Sequence, residues 1–521
     1  MAENASKSKV REFYAGKNIF ITGGTGFLGL ALIEKILRDI PNVGNLYLLM
    51  RPKKNKTIHE RLEDLTKNPV FDVLLKGSSP EIFKKLVPIH GDVGEEDLGI
   101  STDDRNLLID NINVVIHSAA TLDFQQSLKP TVNINLLGTR RVMELCMQAK
   151  NLEAMVHVSS AYANSFHLET QEILYDLLGD AEHIIELVKT LDEKQLEELE
   201  PKLLKEHPNT YTFTKHFAEH EVNKCADRLP CGIVRPSMIT AAWKEPVPGW
   251  TNSKNGPQGF FMGASRGVVR RLPLATNLIY DYIPIDVVIN QVLVTGQYVN
   301  SLKREAAPNT PLQISIFHCT SSSYKPFRWE SVKDKVNGMM HRYPLKSAIW
   351  YPHLKFVQSL FLFKVSAIFI HFLPGLILDG ITKVCGGRPI LIRLHTNVWK
   401  SLKLLEKFIF TEWNFDNKKT LALAKSMSQV DKEVFGFDIG ELKWESYFES
   451  MMVGVRQYLS HEHPKTLEAA RKKDKVLLFL HVFLQLFIYF LIWWATTALV
   501  GSTFSKTGLV VPIAYVLLGL L

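Results

Sequence analysis

At 521 residues the chain is longer than one ordinary core, so two or three structural units are expected. Hydrophobic residues at 46% and charged residues at 22% are globular composition and exclude a largely disordered chain. The net charge of +8, with no long basic run interleaved with aromatics, suits a phosphorylated ligand or an anionic membrane face and argues against nucleic acid.

The start, MAENASKSKVREFYAGKN, is polar, so no secretory signal is expected. From Lys17 short apolar runs alternate with amphipathic stretches, the pattern of β-α-β units and a doubly wound parallel sheet of the Rossmann type. Strands are expected at 18–22, 45–50, 86–90, 114–118, 154–159 and 232–235, and helices at 27–39 and 131–149. A charged stretch over 55–85 reads as an inserted helical segment, and 170–207, rich in Glu, Leu and Lys, as a surface insertion. Residues 240–263, with WKEPVPGW and NGPQGFFMG, carry the Gly, Pro and aromatic content of a loop wall beside a sheet. From 326 to 464 the texture is helical, and an apolar stretch at 356–378 contains Pro374. The five cysteines, Cys146, Cys225, Cys231, Cys319 and Cys385, show no C-x-x-C spacing, so neither a disulfide framework nor a metal site is expected.

The first strand runs into GGTGFLG, which places Gly23, Gly26 and Gly29 in a G-x-x-G-x-x-G array around Thr25 at the start of a helix. Glycines there permit a tight turn and let backbone amides reach a pyrophosphate, whose charge the helix N-terminus stabilises. The second strand ends in Arg51, where an NAD-preferring site would usually carry an acid for the ribose 2′-hydroxyl. An arginine instead pairs with a 2′-phosphate, so NADPH is the expected cofactor. Lys53 and Lys54 follow as a basic loop. Asp92 and Val93 of GDV are expected near the adenine, and Ala119 of HSAA beside the cofactor, with His117 a packed strand-end residue.

Tyr211 and Lys215 stand four apart in YTFTK, on one face of a helix, downstream of a strand ending Val158-Ser159-Ser160. A free tyrosine, with a pKa of about 10, is a poor acid-base group near neutrality. A nearby ammonium favours the phenolate, and a serine hydroxyl steadies the substrate oxygen. Tyr211 and Lys215 are the candidate catalytic pair.

With TGGTGFLG, HVSSAYAN, YTFTK, IVRPSMITAAWKEPVPGW and NGPQGFFMGASRG in this order, the chain resembles the fatty acyl-CoA reductases, extended short-chain dehydrogenase/reductases with male-sterility and insect members. The resemblance is strong over 15–300 and continues through about 360–460. It puts Ser160 rather than Ser159 in the catalytic position, although many members carry threonine there. It implies an NADPH-binding reductase domain with a substrate lobe at 15–300 and a helical C-terminal domain at 326–464. It also implies four-electron reduction of a long-chain acyl-CoA to a primary alcohol. The stretch 356–378 would then line an acyl tunnel, lie on a bilayer, or form a buried helix pair split by Pro374. Two other readings keep the glycines in use: a related dehydrogenase acting on a steroid or nucleotide sugar, and a nucleotide-binding membrane scaffold. The first leaves PVPGW and the helical domain unexplained, and the second leaves Tyr211 and Lys215 without a task.

No charged residue occurs between Lys475 and Lys506, and 477–497 holds thirteen Leu, Ile, Phe or Val. At central positions these contribute about −4 to −8 kcal/mol toward insertion. Twenty-one residues suffice to cross the hydrocarbon core, and Trp493 and Trp494 suit an interface, so 477–497 is expected to be a transmembrane helix among membrane lipid. RKKDK before it places the catalytic part in the cytosol, at the endoplasmic reticulum or, alternatively, a peroxisome or lipid droplet. A second hydrophobic segment, 508–521, contains Pro512 and either returns as a hairpin or lies in the interface.

Overall fold

The computed structural model describes residues 7–53, 55–307, 310–501 and 503–520; Lys54 and Leu521 lie outside them. Compactness divides the chain into two units, each built from separated segments.

The first unit comprises 1–251, 279–327 and 412–447. Its seven parallel strands are β1 Ile19–Thr22, β2 Leu46–Met50, β3 Leu86–His90, β4 Val114–His117, β5 Ala154–Val158, β6 Cys231–Pro236 and β7 Ser315–Cys319. They lie in the order 3-2-1-4-5-6-7, the doubly wound arrangement, with the five interior strands largely apolar and buried on both faces. Six of these strands match the expected positions to within a residue at either end; β7 has no counterpart among them.

Among the crossover helices are α1 Phe27–Asp39, α2 Gly138–Gln148, α3 Thr210–Asn223 and α4 Ile285–Glu305. Helix α4 crosses the sheet closely: a Cβ on Gly232 would lie 2.5 Å from Thr295 Cγ2, and one on Gly296 would lie 2.3 Å from Tyr14 Oη. The run into α2 passes through a π-helical segment at Val132–Leu137. The segment 170–207 does more than decorate the surface. Its helices Ala181–Thr190 and Glu193–Leu204 bury Ile184, Ile185, Val188 and Leu196 against Leu128, Val132, Leu136, Phe213 and Phe217.

Residues 412–447 belong to this sheet unit rather than to the helical one. Asn414–Phe415 pairs with Glu169–Thr170, and the buried Asn417 exchanges hydrogen bonds with Thr320. The second unit, 252–278, 328–411 and 448–521, correspondingly takes in part of the loop wall, whose strand Arg271–Pro273 pairs with Lys355–Val357.

Within the second unit, α5 Leu360–Ala367 continues through a π-helical turn into α6 Leu373–Val384. Pro374 follows directly on the π-helical turn Ile368–Phe372 and does not split the run. Nor is the run a buried pair, since Phe361, Leu376 and Val384 are exposed. Helix α7 Leu391–Ile409 follows, and α8 Leu467–Val500 carries the apolar tail. Gly501 ends α8 at φ +61°, and α9 Val510–Leu520 returns alongside it, with the rings of Tyr489 and Tyr515 6.2 Å apart. The last segment thus forms a hairpin with α8.

Candidate active site

The glycine loop joins β1 to α1 and crosses the sheet edge where β1 meets β4. Gly23 has φ +77°, and a Cβ there would lie 2.8 Å from the amide nitrogen of Ala119. Gly29 is more constrained, since its Cβ would come within 2.3 Å of the Gly23 carbonyl oxygen and 2.5 Å of Gly24 Cα. Gly26 is the N-cap of α1 and has no side chain to cap it. The first amides of α1 therefore face the exposed loop at Thr25 and Gly26, available to an anion. These residues fit a dinucleotide pyrophosphate.

At the end of β2, Arg51 Nη1 lies 2.9 Å from Asp92 Oδ2, and Asp92 Oδ1 accepts the Gly94 amide at 3.0 Å. Arg61 folds back from helix Ile58–Thr66 to donate to the Arg51 carbonyl and, at 3.4 Å, to Thr25 Oγ1. Sequence reading missed Arg61, which lies in a charged stretch with no local signal. Two guanidiniums thus stand beside the glycine loop, with Arg51 59% exposed. Val93 turns into the core while its carbonyl accepts from Arg141 at 3.0 Å, and the Ala119 amide donates to Thr22 Oγ1 at 3.2 Å. His117 is packed as expected, its ring bonded to Thr22 at 2.7 Å and Thr139 at 3.0 Å. Burial, aided by the Lys215 charge, holds it down to about 3, hence neutral.

The chemistry-bearing residues meet at the end of β5. Ser160 is extended (φ −148°) and caps a single helical turn, Ala161–Asn164, its Oγ accepting the Tyr162 amide at 3.2 Å. Its hydroxyl stands near enough to Tyr211 to favour the phenolate. Tyr211 lies in the first turn of α3, which Asn209 caps by accepting the Thr212 amide at 2.9 Å. One turn on, Lys215 is buried and donates from Nζ to the Val158 carbonyl at 2.8 Å. Ser159, its neighbour in the SS pair, instead turns away and donates to Glu219 Oε1 at 2.6 Å.

The electrostatics differ from expectation in one respect. Burial pushes the Tyr211 phenol up to about 12, against the opposing pull of Ser160. Burial also brings Lys215 down to about 8, although Glu219 favours its charge. The lysine does not draw the phenol toward neutrality, because desolvation dominates both groups. The phenol is consequently protonated near neutral pH, which is the state of a proton donor.

Two supports of this site escaped the sequence reading. Asn135, in the π-helical segment, accepts the Thr121 amide at 2.9 Å and donates to Thr214 Oγ1 at 3.1 Å, tying the loop after β4 to α3. Glu219 and Arg235 form a fully buried pair at 2.6 Å, and Arg235 donates further to the Gln171 and Ile173 carbonyls at 3.2 and 2.8 Å. Burial alone would raise the Glu219 carboxyl, but Arg235 outweighs it and holds it below the ordinary range.

Comparison with known proteins finds a family model described as male sterility protein over residues 21–292 and a second of the same description over 370–462. A Drosophila melanogaster protein, provisionally named a fatty acyl-CoA reductase, is 61% identical over 99% of this chain and 100% of its own. Fatty acyl-CoA reductase 1 of Xenopus laevis is 35% identical over 89% of this chain and 88% of its own. Among solved structures, the reductase domain of a nonribosomal peptide synthetase from Mycobacterium tuberculosis superposes with a TM-score of 0.52 at 16% identity. That match covers 88% of this chain and 97% of the other and shows a shared fold.

Proposed function

The chain belongs to the fatty acyl-CoA reductase family, and from that premise we propose that it reduces a long-chain acyl-CoA to the primary alcohol with NADPH, releasing CoA. The coarser part follows from the family: the protein is an oxidoreductase with a nicotinamide-binding fold. The observation that carries the rest is Tyr211 one helical turn before Lys215, whose Nζ reaches the Val158 carbonyl at the strand end from which Ser160 follows, on the side of the glycine loop. Arg51 and Arg61 support NADPH, since together they offer a 2′-phosphate two cationic partners.

When bound, NADPH supplies hydride. Ser160 orients the thioester carbonyl, and Tyr211 donates its proton to that oxygen as negative charge develops there. The resulting hemithioacetal loses the CoA thiol to give an aldehyde, and a second hydride and proton convert this to the alcohol. Lys215 would offer its positive charge to the cofactor's ribose and support reprotonation of Tyr211. Among the described residues two helices, Leu360–Val384 and Pro464–Val500, are long and apolar enough to cross a membrane. The proposal takes the second as the anchor, with the basic segment at Arg471–Lys475 keeping the catalytic unit in the cytosol, first at the endoplasmic reticulum.

The test is to incubate the purified full-length protein with NADPH and acyl-CoAs of stepped chain length, then identify products. Alcohol formation with two NADPH oxidised per CoA released is expected. Accumulation of aldehyde alone would sink the four-electron reading, and no turnover with any acyl-CoA would sink the substrate class.

A further inference from the structure

The helical unit carries a second apolar element besides the tail, and its amphipathicity is inverted. Along Leu360–Val384, the buried positions Phe363, Ala367, His371, Gly375 and Asp379 recur every fourth residue. Most of the stripe turned into protein is small or polar, whereas the large apolar side chains point out, Phe361 at 73% and Val384 at 89% exposure. The polar groups in the stripe are satisfied. Asp379 accepts the amides of Ile390, Leu391 and Ile392 at 3.0, 3.0 and 2.8 Å, capping α7. His371 Nε2 accepts the amides of Arg270 and Arg271 at 3.1 and 3.2 Å and its ring stacks on His395 at 5.1 Å. Water selects the opposite arrangement; hydrocarbon selects this one.

Charge and connectivity point to the same solvent. Over 360–409 there are seven Lys or Arg and two acids, and four of the basic residues, Arg393, Lys400, Lys403 and Lys407, lie on α7. The apolar run and the tail are also moored to one short segment. Arg270, whose amide meets His371, places its guanidinium 3.4 Å from His481 Nε2 of α8.

We propose that the hairpin 360–409 is a monotopic membrane contact. The outward face of α5–α6 lies in the hydrocarbon of the leaflet that α8 enters, and the basic residues of α7 meet anionic headgroups. The inference rests on the reading of α8 as an anchor. A double crossing is disfavoured because α7 would have to carry its four cations back through the bilayer.

The test uses the full-length chain with Cys385→Ser and Cys225→Ser, reconstituted into phosphatidylcholine–phosphatidylserine vesicles. An environment-sensitive fluorophore is placed in turn at Phe369→Cys or Leu376→Cys in the hairpin, at Leu486→Cys in the tail, and at Lys76→Cys, an exposed control. Hairpin probes are expected to shift to the blue, to lose emission to nitroxide carried on acyl chains, and to be insensitive to aqueous iodide. The Lys76→Cys probe should do the reverse. Iodide quenching at both hairpin positions, with the tail probe lipid-quenched, overturns the hairpin and leaves the anchor standing. Protection from both quenchers means that protein covers the face, and also overturns it. Lipid quenching of the hairpin but not the tail removes the anchor and with it the shared leaflet proposed here; quenching of neither removes both.

Discussion

Replacing Tyr211 by Phe keeps a ring near Phe124, whose centroid is 5.5 Å away, and removes the hydroxyl. Turnover should fall by about 10²-fold or more while NADPH binding, read by fluorescence, is unchanged. A parental rate would take the proton donor away from Tyr211. Lys215 gives a pH dependence with a definite sign. Its folded value, about 8, lies below the free value of 10.5, so its charge is present at lower pH and is lost as pH rises through about 8. The kcat/KM profile should therefore have an alkaline limb near 8, which Lys215→Arg moves upward; a limb that stays put would clear Lys215. Stability follows the opposite trend. Between about 8 and 10.5 the unfolded chain holds a proton that the folded chain has shed, so this group's contribution to stability rises with pH there. At the second strand, Arg51→Asp removes a phosphate partner and adds a like charge, so the kcat/KM ratio should move from NADPH toward NADH. Arg61 would retain part of the preference, and an unchanged ratio would exclude Arg51. Arg51 is legible because a strand end is a fixed address in this fold. Arg61 is not, because only the folding back of helix Ile58–Thr66 delivers it.

At the scale of elements, the helix that bears Tyr211 and Lys215 is held by polar supports as well as by apolar packing. Arg235 on β6 neutralises Glu219 on α3, and Glu219 in turn accepts from Ser159 on the chain leaving β5. Arg235→Met would strand a buried carboxylate, at a cost of about 3–5 kcal/mol. A clear drop in the thermal unfolding midpoint is expected, with partial recovery in the double variant Arg235→Met, Glu219→Gln. No change in the midpoint would mean that the carboxylate reaches water. The spacing YTFTK shows that Tyr211 and Lys215 share a face, but it cannot show that Glu219, one turn further on, meets Arg235 from another strand. The SS pair is similar. Both serines are hydroxyls at a strand end, yet in the fold Ser160 caps the turn at Ala161–Asn164 while Ser159 donates to Glu219.

For the whole molecule, the proposed anchor predicts that the full-length protein stays in the membrane fraction after alkaline carbonate extraction. Recovery in the soluble fraction would refute the span. The structure also dictates where a truncation belongs. Leu477 packs with Leu345 and Ala348, and His481 accepts from Trp350 at 3.2 Å, so a chain ending at Gln485 keeps these contacts and removes the rest of the span. Such a chain should become extractable while retaining activity on acyl-CoA supplied in solution. A truncated chain that stays in the carbonate pellet would show that α8 is not the main attachment.

What the sequence by itself determined is whatever physics writes locally. Strand runs of Val and Ile mark the sheet, glycines mark the backbone approach at β1–α1, and a charge-free stretch marks the tail. Three things required tertiary structure, because each depends on residues far apart in the chain. The seventh strand is identified by its pairing with β6, and residues 412–447 join the sheet unit through Glu169–Thr170 and Thr320. The third is the orientation of the run Leu360–Val384. Its hydrophobicity is visible in the sequence, but the face it turns outward is set by Asp379, His371 and the partners that satisfy them.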